Sequence, residues 1–300
     1  MRMEETRFRF SQRHPFLFGV MMIIIAVALM LGATAFFRSM GWMGNGFSFG
    51  HEKLGVIHVQ GMIMDSTDVV KWARTLRDDD SIKGVLLRVN SPGGAIAPSQ
   101  EMYQAITALA AVKPVVASYG TVAASGGYYA SVPAQFIVAN PGSLTASIGV
   151  MAEFVTVADA LERIGVTPEV LTTGKYKAAG TPMRSLSNAQ REQLLGVMQD
   201  LHAQFVDDVA KARGMDRDRI DAIADGRAVT GRQALALGLV DMLGSEEQAC
   251  EKLKEMCSIE GAVTLVEGPV EEKSLIQEII GSLSINLTSS LPNGWTFSYK

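Results

Sequence analysis

Two stretches, VLLRVNSPGG (residues 85–94) and VVASYGTVAASGGYY (115–129), decide how this chain folds. In each, a short apolar run ends in a glycine-bearing turn and passes into a helical pattern. The first leads to a helix over Pro98–Val112, the second to a short helix through Tyr128 to Ser131. Runs of this length, too short for helices and apolar on both faces, read as strands buried between layers. Working outward, Val56–Val59 alternates like a strand, and Val69–Leu76 is helical, with Asp65 and Ser66 as capping candidates. Phe136–Ala139, Ile148–Met151 and Glu169–Thr172 read as further strands, and Val157–Ile164 as a helix. Asn188–Arg213 is a long amphipathic helix with the stripe Leu194, Leu195, Met198, Leu201, Phe205 and Val209, stopped by Gly214. Strands alternating with helices predict an α/β fold of repeated βαβ units on a mainly parallel sheet.

From Pro15 to Phe37 the chain runs 23 residues without a charge. At ~1.5 Å per residue this is long enough to cross ~30 Å of hydrocarbon. Arg2, Arg7, Arg9 and Arg13 precede it and only Arg38 follows closely, so the N-terminus is expected in the cytoplasm and the rest beyond the membrane. Ala33-Thr34-Ala35 offers a signal-peptide cleavage pattern, but the apolar run exceeds the usual length and continues through Phe37; a retained anchor is the reading adopted. The glycine-rich Gly41–Gly50 then reads as a flexible linker. A net charge of −4 without a basic patch gives no reason to expect nucleic acid. Cys250 and Cys257 fall seven positions apart on a predicted helix, ~10 Å by its rise, which is too far for a disulfide. No neighbouring His or Cys completes a metal site, and packing roles are expected for both.

Ser91-Pro92-Gly93-Gly94 follows a buried strand, where glycines let backbone N–H groups face a ligand. Ser125, in Ala124-Ser125-Gly126-Gly127, lies at the next strand–helix corner, a position that suits a nucleophile as well as a helix cap. A serine nucleophile needs a base. The four histidines are His14, His51, His58 and His202, and none falls between Val59 and Leu201, so a Ser-His-Asp triad is poorly supported. Lysine is the other base; it acts only when neutral, which requires desolvation to draw its pKa down from ~10.4. Lys175 and Lys177 both qualify. In an extended segment they would face the same side, so periodicity does not choose between them.

Taken together, NSPGG (90–94), ASGGYY (124–129), SLTASIGV (143–150), GKYKAAG (174–180) and ADGRAVTGRQALALGLVD (224–241) resemble the signal peptide peptidase A family, in its short membrane-anchored form. The likeness covers about residues 54–245. It implies a crotonase/Clp-like fold and a Ser-Lys dyad in which Ser125 is the nucleophile and Lys177 the general base. It also implies that Ser147 orients the lysine, and that Gly93 or Gly94 joins Gly126 in the oxyanion hole. The family usually has Asp after the base, where this chain has Ala178. No cofactor or metal is implied. Substrates would be remnant signal peptides and other apolar segments, cleaved by a ring-shaped homo-oligomer in which Ser and Lys come from neighbouring protomers. The expected location is the bacterial inner membrane, with the catalytic part on the periplasmic side. The layout that follows is a cytoplasmic segment 1–14, an anchor 15–37, a linker 38–53, a peptidase domain 54–267 and a tail 268–300 of unassigned role. The competing functions are a crotonase-type acyl-thioester enzyme and a non-catalytic membrane scaffold.

Overall fold

The computed structural model describes residues 15–39, 51–268 and 297–299. The expected cytoplasmic segment 1–14, most of the linker and nearly all of the tail lie outside the described residues. Two compact units divide at His51/Glu52. The first contains one helix, α1 (Pro15–Ser39), of 25 residues. Residues 16–30 and 32 are exposed along it. Those are the only residues of α1 with described side chains, and among the described residues no helix is long and apolar enough to cross a membrane. The full uncharged run is therefore complete only in the sequence and in the helical backbone.

The second unit is a mixed α/β structure on one large sheet. Its strands are β1 (Glu52–Ile63), β2 (Ile82–Ala95), β3 (Val115–Ala124), β4 (Phe136–Ala139), β5 (Leu144–Ala146), β6 (Met151–Ala152), β7 (Ala228–Thr230), β8 (Met242–Leu243), β9 (Val263–Gly268) and β10 (Phe297–Tyr299). Between them lie α2 (Thr67–Asp78), α3 (Ile96–Ala110), α4 (Gly126–Ser131), α5 (Ala158–Arg163), α6 (Asn188–Arg213), α7 (Arg217–Asp221), α8 (Gly231–Leu237) and α9 (Glu246–Met256). The central order β9-β1-β2-β3-β4-β8 is parallel throughout. β5 also joins β3 in parallel, while β7 pairs antiparallel with β5. β10 lies antiparallel between the end of β2 and β6.

The apolar runs explain the layers. Successive strand residues face opposite sides of a sheet. Ile57, Val59, Val85, Leu87, Val89, Val115, Ala117, Tyr119 and Ile137 pack on one side with residues of α2, α3, α4 and α6. Leu54, Val56, Leu86, Val116 and Val138 pack on the other, against Ala249 and Leu253 of α9. Cys250 and Cys257 are free thiols packed against this smaller cluster, and Cys257 Sγ donates to the Lys83 carbonyl.

Several expectations need correction. Ile148–Met151 is not a strand: residues 147–150 are irregular, and pairing is confined to Met151 and Ala152. Glu169–Thr172 is irregular as well, and Leu171 is 87% exposed, so no layer covers it. Ser66 caps α2 without a side-chain bond because its hydroxyl donates to the Glu101 carboxylate; Asp65 Oδ1 accepts the Thr67 N–H at 2.6 Å instead. On α6, Leu194, Phe205 and Val209 are buried but Leu195 is half-exposed. Gly214 does end this helix, in the left-handed region at φ 60°.

Candidate active site

Ser125 stands between β3 and α4 with φ 53° and ψ −118°, a backbone conformation that a non-glycine residue adopts only at a cost. Among the described residues, Ser125, Ala146, Ser147 and Ser258 are the non-glycine residues with positive φ. Three of these four meet at one place, since the Ser125 N–H donates to the Ala146 carbonyl at 2.7 Å. Strain concentrated in this way marks functional sites more often than it marks ordinary turns. Ser125 is fully buried, and its Oγ has no hydrogen-bond partner among the described residues.

The corner is held against the turn at the end of β2. A Cβ added to Gly126 would fall 2.5 Å from Ser99 Oγ, 3.2 Å from Gly93 Cα and 3.2 Å from Gly94 N. A larger residue at Gly126 would have to displace the Ser99 hydroxyl and press on the Gly93–Gly94 backbone. Gly93 has φ 101°, and its N–H donates to Ser91 Oγ at 3.1 Å. The structure thus brings Ser125, Gly126, Gly93 and Gly94 together.

All six residues of α4 are buried, and aromatic rings fix them in place. Tyr128 donates to the Leu239 carbonyl at 3.0 Å, and Tyr119 OH lies 3.0 Å from Ser131 Oγ. Tyr129 donates to the Asp208 carboxylate, stacks on Tyr103 with centroids 5.1 Å apart, and meets Phe205 edge-on at 4.7 Å. Burial, with the nearby Asp208 carboxylate adding to it, pushes the Tyr103 hydroxyl up to about 12, so this ring stays neutral. Beyond these rings, Arg213 and Asp241 form a bidentate pair at 2.6 and 3.0 Å, and Asp241 Oδ2 also accepts the Ile137 N–H at 2.8 Å. Sequence reasoning missed these supports. The double tyrosine after Ser125-Gly126-Gly127 and the Asp241 that closes the 224–241 motif were the available signals.

Ser147 is nearly buried; its Oγ donates to the Gly226 carbonyl at 3.1 Å, and its N–H to the Arg227 carbonyl at 3.1 Å. The Gly226 N–H answers by donating to the Ile148 carbonyl at 3.1 Å. The TASIG and ADGRA segments are locked together, so Ser147 is held beside the strained corner.

Lys177 lies elsewhere in character. It is exposed, in a run of turns where its N–H donates to the Gly174 carbonyl at 3.1 Å and the Ala179 N–H to the Tyr176 carbonyl at 2.9 Å. The segment is not extended, so the period-two comparison of Lys175 with Lys177 does not apply to it. No bond joins Lys177 to Ser125 Oγ. Of the histidines, His202 Nε2 donates to the Ala224 carbonyl at 2.8 Å, a structural use, and His58 is paired with Glu267 at 3.6 Å.

Residues 107–260 match the model of peptidase family S49, a stretch that contains Ser125, Ser147 and Lys177 while Gly93 and Gly94 precede it. A Synechocystis sp. protein named as a candidate protease is 34% identical over 251 residues, covering 83% of this chain and 90% of that protein. The chloroplastic serine protease SPPA of Arabidopsis thaliana is 35% identical over 242 residues, 79% of this chain but 36% of its own length. An Enterococcus faecium protein named as a candidate signal peptide peptidase is 32% identical over 219 residues, covering 68% of this chain and 64% of that protein. With half the chain matched by the family model and relatives above 30% identity across more than two thirds of it, the chain belongs to peptidase family S49 and is a serine protease.

Proposed function

We propose that this protease cleaves signal-peptide remnants and other apolar segments with a Ser125–Lys177 dyad, while anchored in a bacterial inner membrane by residues 15–37. The observation that carries the reading is the Ser125 hydroxyl, buried, without a partner among the described residues and held at positive φ against the Ser91–Gly94 turn. Neutral Lys177 takes the hydroxyl proton as Oγ attacks the peptide carbonyl. The tetrahedral oxyanion is met by the Gly126 N–H and by Gly93 or Gly94, and the lysine ammonium then protonates the leaving amine. Water hydrolyses the acyl-enzyme by the same groups in reverse roles.

The lane between β2 and β6, taken by Phe297–Tyr299, is suited to an extended peptide backbone. Ser147 orients the lysine from its fixed place beside Ser125. Since Lys177 is exposed on a turn in the single chain, the dyad is completed by the lysine of a neighbouring protomer in a ring. A sheet of mainly parallel strands with helices on both faces supports the crotonase/Clp-like class. The 25-residue α1 would extend ~37 Å, more than the ~30 Å of a bilayer core, and supports the anchor. A cytoplasmic segment 1–14, a linker 38–53, a peptidase domain 54–267 and a tail 268–300 complete the proposed layout.

The test is gel-based cleavage of a signal-peptide substrate by the purified full chain. Ser125→Ala and Lys177→Ala should each lower activity about 10³-fold or more, and Lys175→Ala should keep it. Full activity in either dyad variant overturns the assignment, and loss in Lys175→Ala alone would move the base to that residue.

A further inference from the structure

A cavity of about 430 Å³ begins at Ala152, the last residue of β6 and so the border of the lane that Phe297–Tyr299 takes. It is lined by residues 152–156 and by the segment 180–186, which follows Lys177 in the chain. The Val157 N–H and the Thr156 hydroxyl both donate to the Pro182 carbonyl, at 2.8 and 3.3 Å, and so tie the two linings together. Arg184 and Arg191 both line this cavity, and among the described residues neither guanidinium has an ion-pair or hydrogen-bond partner. Glu153 is the one carboxylate on the lining, so the cavity carries an excess of positive charge. Arg191 also stands on the first turn of α6, where a cation opposes the helix dipole and no acidic residue of that turn offsets it. Two unpaired guanidiniums on one small cavity favour a carboxylate, which each can grip through two N–H groups.

The register of the lane says where on a bound peptide that carboxylate belongs. Phe297–Tyr299 runs antiparallel to both neighbours, with Tyr299 opposite Gly94, Ser298 opposite Ala95 and Met151, and Phe297 opposite Ala152. The Gly94 end is the one beside Gly126 and the nucleophile's corner. The residues that follow Ala152 therefore lie toward the N-terminal part of a peptide held in this direction. We infer that Arg184 and Arg191 form a specificity site for an acidic side chain, three to five residues to the N-terminal side of the peptide residue that faces Gly94. The inference rests on the proposed passage of substrate along this lane. The competing role is a seat for a carboxylate of a second copy of the chain.

The test uses the full chain and peptides that share one apolar core and carry Glu, Gln or Lys at single positions upstream of it. Mass spectrometry locates each cleaved bond. At the matching positions kcat/KM for the Glu peptide should exceed that for the Gln peptide by about 3–10-fold, with Lys below Gln. The preference should fade as salt is raised. The double variant Arg184→Gln/Arg191→Gln should cut the Glu and Gln peptides alike, and Arg184→Glu/Arg191→Glu should turn the preference to Lys. A merely structural role would not reverse a preference in this way. Equal rates for the Glu and Gln peptides in the unsubstituted chain overturn the inference, as does a preference that survives in the double Gln variant. So does a double Gln variant that slows all peptides alike while the mass of the assembly falls, which would assign the arginines to a contact between copies. Cleavage that ignores charge sinks this inference alone; failure to cut any apolar peptide sinks the proposed function with it.

Discussion

Ser125 carries two costs in the folded chain. A hydroxyl sealed from solvent, as here without a partner among the described residues, costs ~1–3 kcal/mol, and a non-glycine residue at positive φ costs a similar amount. Both are explained by a group kept ready for a reaction, and both make the same prediction. Ser125→Gly relieves strain and desolvation together, against ~1 kcal/mol of added unfolded-chain entropy, and should stabilise the domain by ~1–2 kcal/mol. Ser125→Ala relieves the hydroxyl alone and should fall between. Urea melts of the three proteins check the order; wild type being the most stable of the set would show that the corner is relaxed. At this scale the sequence was partly legible. Glycines and the strand–helix corner marked Ser125, Gly93, Gly94 and Gly126. Ser147 was marked only by the family resemblance, and nothing in the residue types foretold the left-handed backbone of Ala146 and Ser147. Local pattern did not choose between Lys175 and Lys177, and the resemblance alone pointed to Lys177; the segment proves to be a run of turns, where the period-two comparison does not hold.

A six-residue helix does not hold itself together, so α4 must be positioned by what packs on it. Tyr128 reaches the Leu239 carbonyl in the segment that ends at Asp241, Tyr119 meets Ser131 of α4 from β3, and Arg213 pairs with Asp241 from the end of α6. The Arg213 side chain is only 8% exposed, against 27% for Asp241. Removing the carboxylate strands a nearly buried guanidinium and leaves the Ile137 N–H unpaired, so Asp241→Ala should cost ~2–4 kcal/mol in denaturant melts. The exposed pair Arg227–Asp225 provides the contrast: Asp225→Ala should leave stability unchanged. Equal effects at the two sites would mean that Arg213–Asp241 is no support. Elements with both faces covered were readable from their apolar runs, as with β2 and β3. The expected strands at 148–151 and 169–172 failed for the opposite reason. In the first, only Met151 reaches a partner strand while Ile148 is buried in the core without pairing, and in the second Leu171 is left exposed; composition does not reveal whether a sheet edge is within reach.

Across the whole molecule, burial is uneven. From β6 to the start of α6 nearly every residue is exposed or half-buried; Ala178 and Ala179, directly after Lys177, are the exceptions. Val155, Ile164, Leu171 and Tyr176 place apolar surface on the same stretch, which carries Lys177, the proposed base. A second copy covering this stretch would bury apolar area and deliver Lys177 to a serine that is not its own. The consequence is measurable by complementation. Ser125→Ala and Lys177→Ala proteins, each inactive alone, are mixed in equal amounts, dissociated and reassembled. If each site takes Ser125 from one protomer and Lys177 from the next, random mixing gives about a quarter of the sites both groups, and about a quarter of wild-type peptide cleavage returns. If both groups belong to one protomer, no arrangement of the two variants contains an intact pair. Activity that stays at the level of the separate variants, in a mixture shown by mass to have exchanged subunits, would confine the dyad to a single chain.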